Sequence, residues 1–153
     1  MEKKEFLDFL KGYFKSHGFE KGKGNRYYKN SIEKGFLCEI DIFKSNHGDF
    51  YYLEYAFYLG KFHKPYVLDW GCDETCTPFV FRRFVFDDEN CASFCNYLEY
   101  SKEYFKKMLD ENMARAIFPP FVEGKKYLRE NLGILYRNFL PEERVLPLLL
   151  DEI

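Results

Sequence analysis

Residues 35–60 read GFLCEIDIFKSNHGDFYYLEYAFYLG. Two arms rich in Phe, Ile, Leu and Tyr flank SNHG at 45–48, residues that suit a turn, and the pattern predicts a β-hairpin. With Asn46 and His47 at the tip, Ile42 falls opposite Tyr51, Ile40 opposite Leu53 and Cys38 opposite Tyr55. Side chains alternate between the two faces of a strand, so this row forms one wholly apolar face, which must be the core face. The other face pairs Asp41 with Tyr52 and Glu39 with Glu54, flanked by Leu37, Phe50, Ala56 and Tyr58. A slip of one residue would turn the carboxylates into the core, so burial specifies the register.

Upstream, Phe6, Leu7, Leu10, Tyr13 and Phe14 recur at the spacing of one helical face, with Glu2, Lys3, Lys4, Asp8, Lys11 and Lys15 opposite. Gly18 suits the left-handed residue that ends such a helix. EKGKGN at 20–25 reads as a loop and RYYK at 26–29 as a short strand. Downstream, 61–78 reads as a connection broken by Pro65, Gly71 and Pro78, and FVFRRFVF at 79–86 as a third strand with Arg82 and Arg83 on opposite faces. DDEN at 87–90 has the capping residues of a helix start. The helical pattern from Cys91 to about Ile117 then meets Pro119-Pro120, which would end it. A further helix is expected over 121–131, stopping near Gly133. Pro141-Glu142-Glu143 opens a last amphipathic segment, ERVLPLLLDEI, which would pack on the domain's own core or on another subunit, as in a homodimer.

These elements predict a single α+β domain over residues 1–153. It has an N-terminal helix, a mainly antiparallel sheet of about four to six strands, and C-terminal helices packed on one face. The composition is that of a globular chain, with 46% hydrophobic, 21% aromatic and 31% charged residues. A net charge of -2 lacks the concentrated positive surface that nucleic acid demands. No basic start leads into an apolar signal core, and no long uncharged apolar run is present, so the expected location is the cytoplasm, away from membrane.

Five cysteines, an odd number, are expected as reduced thiols. Four fall as C-x3-C twice: Cys72 and Cys76, then Cys91 and Cys95. Zinc tolerates that spacing, but Cys91 and Cys95 extend a helical stripe with Phe94, Leu98, Phe105, Leu109, Asn112 and Ala116. Cys72 and Cys76 lie beside Asp73 and Glu74, whose charges disfavour thiolate, and Cys76 is for that reason poorly set up as a nucleophile. The reading is core and loop thiols, with neither metal nor cofactor. His17, His47 and His63 form no ligand pair, and no nucleophile-elbow, phosphate-loop or dinucleotide motif occurs. Lys21, Lys23, Arg26 and Lys29 make a small basic patch, read as a solvated edge.

The candidate site is the non-core hairpin face: Glu39, Asp41 and Glu54 among Phe50, Tyr52 and Tyr58, with Arg26 and either Arg82 or Arg83 alongside. Facing carboxylates repel unless a cation, an arginine or a proton intervenes. Such a face is either a salt-bridged sheet surface or a polar-aromatic groove for a basic ligand or a partner's lysines and arginines.

The order of motifs resembles bacterial proteins of the family called domain of unknown function 4304. The likeness spans roughly residues 5–130: the helix ending in Gly18-Phe19, GNRYYK, the long hairpin with Lys44-Ser45 near its turn, Arg82 or Arg83 in the later strand, and Phe118-Pro119. The resemblance implies an α+β single domain and brings no established activity or catalytic residue. Taken together, the expectation is a cytoplasmic interaction or regulatory module without catalytic activity, one version being a toxin-neutralising partner of another protein. The alternative is a small-ligand-binding protein or enzyme that uses the acidic-aromatic face.

Overall fold

The computed structural model describes residues 1–31, 36–59, 80–86 and 94–131. The connection at 61–78, the capping signal at 87–90, Cys72, Cys76, Cys91, His63, Gly133 and the segment from Pro141 onward lie outside them.

Helix α1 spans Lys3–Ser16 and buries Phe6, Leu10, Tyr13 and Phe14 of the stripe read from the sequence, with Leu7 half-buried at its margin. Its end is a Schellman turn. Gly18, at φ +82°, donates its N–H to the Lys15 carbonyl, Phe19 donates to Phe14, and the two phenylalanine rings pack 5.8 Å apart. The chain then enters an antiparallel sheet of β1 (Glu20–Lys21), β2 (Arg26–Ser31), β3 (Phe36–Lys44), β4 (Tyr51–Leu59) and β5 (Val80–Arg83), in that order. A short β6 (Phe94–Cys95) also pairs with β4. The α+β class is thus observed. The glycine-rich loop is shorter than expected, because Glu20 and Lys21 pair with Tyr28 and Tyr27.

The hairpin has the two faces that alternation assigns, but its register differs by two residues. Ile42 lies opposite Leu53, Ile40 opposite Tyr55, Asp41 opposite Glu54 and Glu39 opposite Ala56. The cause is the turn. It is not a tight loop around Asn46-His47 but a wider one over residues 45–50, closed by Ser45 N–H donating to the Phe50 carbonyl at 2.9 Å. Inside it the His47 N–H donates to Ser45 Oγ at 3.0 Å, and Lys44 Nζ reaches Asp49 at 3.3 Å. Alternation excludes odd slips only, so a shift of two leaves Cys38, Ile40, Ile42, Leu53, Tyr55 and Phe57 buried together.

α1 crosses this apolar face, with Phe6 against Tyr51 at 5.1 Å and Phe14 against Tyr27 at 5.1 Å. The C-terminal helices complete the same layer: Phe105 meets Phe6 at 5.4 Å, and Phe121 meets Phe36 at 5.0 Å. The expected helix from Cys91 begins later. Phe94–Cys95 is a strand, Tyr97–Glu99 is a single 3₁₀ turn, and α2 runs Lys102–Asn112, with Ser101 accepting from the Tyr104 N–H as N-cap. Cys95 and Phe94 therefore belong to the sheet, and Leu98 is exposed. Phe105, Leu109, Asn112 and Ala116 keep the buried positions expected of them.

Pro119-Pro120 does not end the helical path. A π turn at Met113–Ile117 delivers the prolines into the first turn of α3 (Phe118–Glu123), the part of a helix that tolerates proline. The Tyr127 hydroxyl donates to the Arg115 carbonyl at 3.4 Å. Gly124, at φ +79°, separates α3 from α4 (Lys125–Glu130), so the expected helix over 121–131 is two short pieces.

Asn112 welds α2 to the chain that follows β5. Its side chain accepts from Val85 N–H and donates to the Val85 carbonyl, both at 2.8 Å, as a neighbouring strand would, and it also donates to the Met108 carbonyl. Removing it strands buried backbone groups at about 1–3 kcal/mol each. Asn112→Ala is expected to lower the unfolding free energy by about 3 kcal/mol in urea titration. A loss under about 1 kcal/mol would show that these bonds do not hold the two segments together.

Candidate functional site

The register builds a charged row across four strands on the outer, non-helix face. Arg26 of β2 lies beside Asp41 of β3, Asp41 beside Glu54 of β4, and Glu54 beside Arg83 of β5. The sign order is plus, minus, minus, plus, so each carboxylate has its own guanidinium on the side away from its rival. Arg26 Nε stands 3.6 Å from Asp41 Oδ2, and Arg83 Nε donates to Glu54 Oε1 at 2.8 Å. In the ladder Arg82 pairs with Tyr55 and Arg83 with Glu54, so of the two candidate arginines Arg83 joins the carboxylates.

Glu39 sits one row away, between Tyr28 and Ala56, with no cation beside it in the ladder. It is 7% exposed, and its Oε2 is a buried oxygen without a hydrogen-bond partner among the described residues. Burial lifts its carboxyl to about 7; the charge of Asp41 adds to the rise and the pull of Arg26 opposes it. Burial likewise raises Asp41 against the pull of Arg26, and Glu54 against its bond to Arg83. The acids thus occupy the face that alternation gives them, but Glu54 is only 9% exposed, and Leu37 and Ala56 beside the acids are buried too.

Exposure returns toward the turn. There the outer row is aromatic: Phe43 lies opposite Tyr52, and Tyr52 opposite Phe94. Phe43 and Tyr52 are 5.3 Å apart, Phe50 is 5.7 Å from Tyr52 and 5.1 Å from Phe94, and Phe94 is 43% exposed. A Cβ on Gly48 would come within 2.8 Å of the Phe50 ring, so the turn glycine lets that ring lie over the loop. Arg83 closes the patch, its guanidinium 4.1 Å from the Tyr52 centroid and 5.8 Å from that of Phe43. Tyr58, opposite Leu37, is half-buried at the far end of the same face.

The remaining sequence candidates disperse. Lys29 turns to the helix side, where its Nζ donates to the His17 carbonyl at 3.1 Å and lies 4.7 Å from the Phe121 centroid, so it shares no patch with Arg26. Cys38 and Cys95 are buried thiols, raised by desolvation. No group of His, Cys, Asp and Glu among the described residues could hold a metal ion. Two open grooves line α1: one carries Lys11, Lys15, Gly18 and Tyr27, the other Glu5, Asp8 and Lys102. Neither includes a residue of the charged row. Among the described residues no helix is long and apolar enough to cross a membrane. The sequence reading missed Phe43 and Phe94 as site residues, because helical spacing drew Phe94 into the α2 stripe. The signal that corrects it is Ser101, whose capping side chain places the start of α2 after Phe94.

No family model, curated protein or solved structure matches the chain. The geometry of the outer face alone carries the functional reading.

Glu39 makes stability depend on pH. Its folded carboxyl holds a proton up to about 7, whereas the unfolded one releases it near 4.5. Between these values the folded state binds more protons, so stability falls as pH rises through that window and stays lowered above it. Glu39→Gln, which mimics the protonated acid, is expected to stabilise the protein above pH 7 by at most about 3 kcal/mol and to be nearly neutral at pH 4. Melting temperatures of both proteins across pH 4–8 would refute this if the gap between them did not widen with pH.

Proposed function

We propose that the protein is a cytoplasmic bacterial protein-interaction or regulatory module without catalytic activity, and that its partner protein docks on the turn end of the outer sheet face. One observation supports this above the others: Phe43, Phe50, Tyr52 and Phe94 form a contiguous aromatic surface, open at Phe94 and bordered by Arg83. Aromatic residues and arginine are the types that concentrate binding energy at protein interfaces, and Phe43, Tyr52, Arg83 and Phe94 stand on strands of the sheet, which limits the order they must gain on association. Neutralisation of a toxin is one role within this class. The likeness to the domain of unknown function 4304 proteins is proposed on the same terms and adds no activity.

A reading in which Glu39, Asp41 and Glu54 capture a basic ligand has less support, because Asp41 and Glu54 are already matched by Arg26 and Arg83. The second reading is a small-ligand site or enzyme centred on Glu39. A buried carboxyl that titrates near neutrality can give or take a proton at physiological pH, and this favours the idea. The two readings separate experimentally, since docking depends on the aromatic rim and proton transfer on Glu39.

Phe94→Ser with Phe50→Ser is expected to leave the circular dichroism spectrum unchanged and to abolish recovery of a cross-linked partner from cells. Val122→Ser, which alters an exposed apolar residue on α3, is expected to leave that recovery intact. A partner held equally by all three proteins would refute docking at this face. Loss of function in Glu39→Gln with partner recovery unchanged would support the second reading instead.

A further inference from the structure

Arg83 does more than neutralise Glu54. A lysine would supply the same charge, yet this guanidinium is held in a fixed plane, with Nε bonded to Glu54 at 2.8 Å and its face on the Tyr52 ring at 4.1 Å. The side chain is 40% exposed. Its two terminal amino groups, with four N–H donors, meet no acceptor among the described residues. The rotamer freedom that a surface arginine normally gives up on binding is therefore already restricted, and the free edge of the fork has the spacing of a carboxylate. Phe43 lies within 5.8 Å of the guanidinium, with Phe50 and the exposed Phe94 beyond Tyr52.

We infer that this surface recognises a segment of a partner protein that carries an aspartate or glutamate beside an aromatic or large apolar side chain. Arg83 receives the carboxylate and the Phe50–Phe94 pair receives the apolar neighbour. The charge of the site selects a carboxylate over a phosphate. Glu54 already balances Arg83, Asp41 balances Arg26, and Glu39 adds partial negative charge in the next row. With no surplus of positive charge each added negative charge is a cost, so a dianion is disfavoured more than a monoanion, whose smaller cost the two parallel hydrogen bonds of the fork can offset. The inference rests on the docking reading above and adds the chemistry of the partner.

The probes are short synthetic peptides, capped at both ends, that carry Asp-Phe, Asn-Phe or phosphoserine-Phe at their centre. They are titrated into the isotopically labelled protein at millimolar concentration, with the Arg83 Nε–H and Phe94 amide resonances as readout. The Asp-Phe peptide is expected to bind at least about fivefold more tightly than its Asn-Phe counterpart and to shift both resonances. Arg83→Lys keeps the charge opposite Glu54 but loses the fork, and is expected to bring the two peptides within about twofold of each other. Should Arg83→Lys unfold, the paired substitution Glu54→Gln with Arg83→Gln removes both charges together and must give the same result. Equal binding of the Asp and Asn peptides, no binding of either, or tighter binding of the phosphoserine peptide would overturn the carboxylate assignment. If Phe94→Ser weakens peptide binding while Arg83→Lys leaves the Asp preference intact, the docking face survives and the assignment of the carboxylate to Arg83 does not.

Discussion

Nine residues of β3 lie opposite nine of β4, and the other structural features are hung on that ladder. The alternation of side chains makes one face continuously apolar, and only such a face can receive the stripe of α1. The Phe6 ring touches Tyr51 from β4, Tyr97 from the 3₁₀ turn and Phe105 from α2, so a single buried side chain ties the ribbon to both helices. Burying an aromatic ring of this size contributes on the order of 2–3 kcal/mol, which is a large share of a small domain's net stability. Asn112 ties α2 to the same frame by polar means, occupying at Val85 the place that a seventh strand would take.

The opposite face answers a different constraint. Once its acids are buried, each must find a counter-charge, a proton or a set of donors, because an isolated buried carboxylate costs several kcal/mol. Asp41 and Glu54 find arginines on the neighbouring outer strands, and the sheet itself spaces these pairs so that the two acids do not share one cation. Glu39 is flanked by Tyr28 and Ala56, neither of which can supply positive charge. Nothing beside it in the ladder offsets the desolvation, so burial outweighs the more distant pull of Arg26. The near-neutral net charge of the chain therefore conceals a surface that is matched locally, pair by pair.

Legibility in the sequence followed the strength of the underlying period. The α1 stripe, its Gly18 stop, the three principal strands and the division of the hairpin into an apolar and an acidic face are all consequences of spacing. Register was not, since parity alone decides which way Glu39 points, and a shift of two satisfies parity equally well. What settles register is the wide turn, and its cause lies in Ser45, a residue that reads as ordinary turn composition until its hydroxyl is seen capping His47. Start signals competed downstream. Cys91, Phe94, Cys95 and Leu98 have helical spacing, but Ser101 offers the better cap and β4 offers Phe94 and Cys95 a ladder. The prolines at 119 and 120 misled for a related reason: they forbid a helix interior, not a helix beginning.

The shift of two residues also decides what the outer face can do. In the expected register Tyr52 would sit beside Asp41, and Glu39 would face Glu54, leaving charges and rings interleaved. In the observed one Asp41 faces Glu54 and Phe43 faces Tyr52, so charge and aromatic surface separate into adjacent rows. That separation places Arg83 at the boundary, bonded to the charged row through Glu54 and stacked on the aromatic row through Tyr52. A guanidinium in that position serves both rows, neutralising an acid within the sheet while its face lies on an aromatic ring. The loop geometry at Ser45 and Gly48, far from any chemistry of its own, is therefore what converts a salt-bridged sheet face into a face with a directed polar edge.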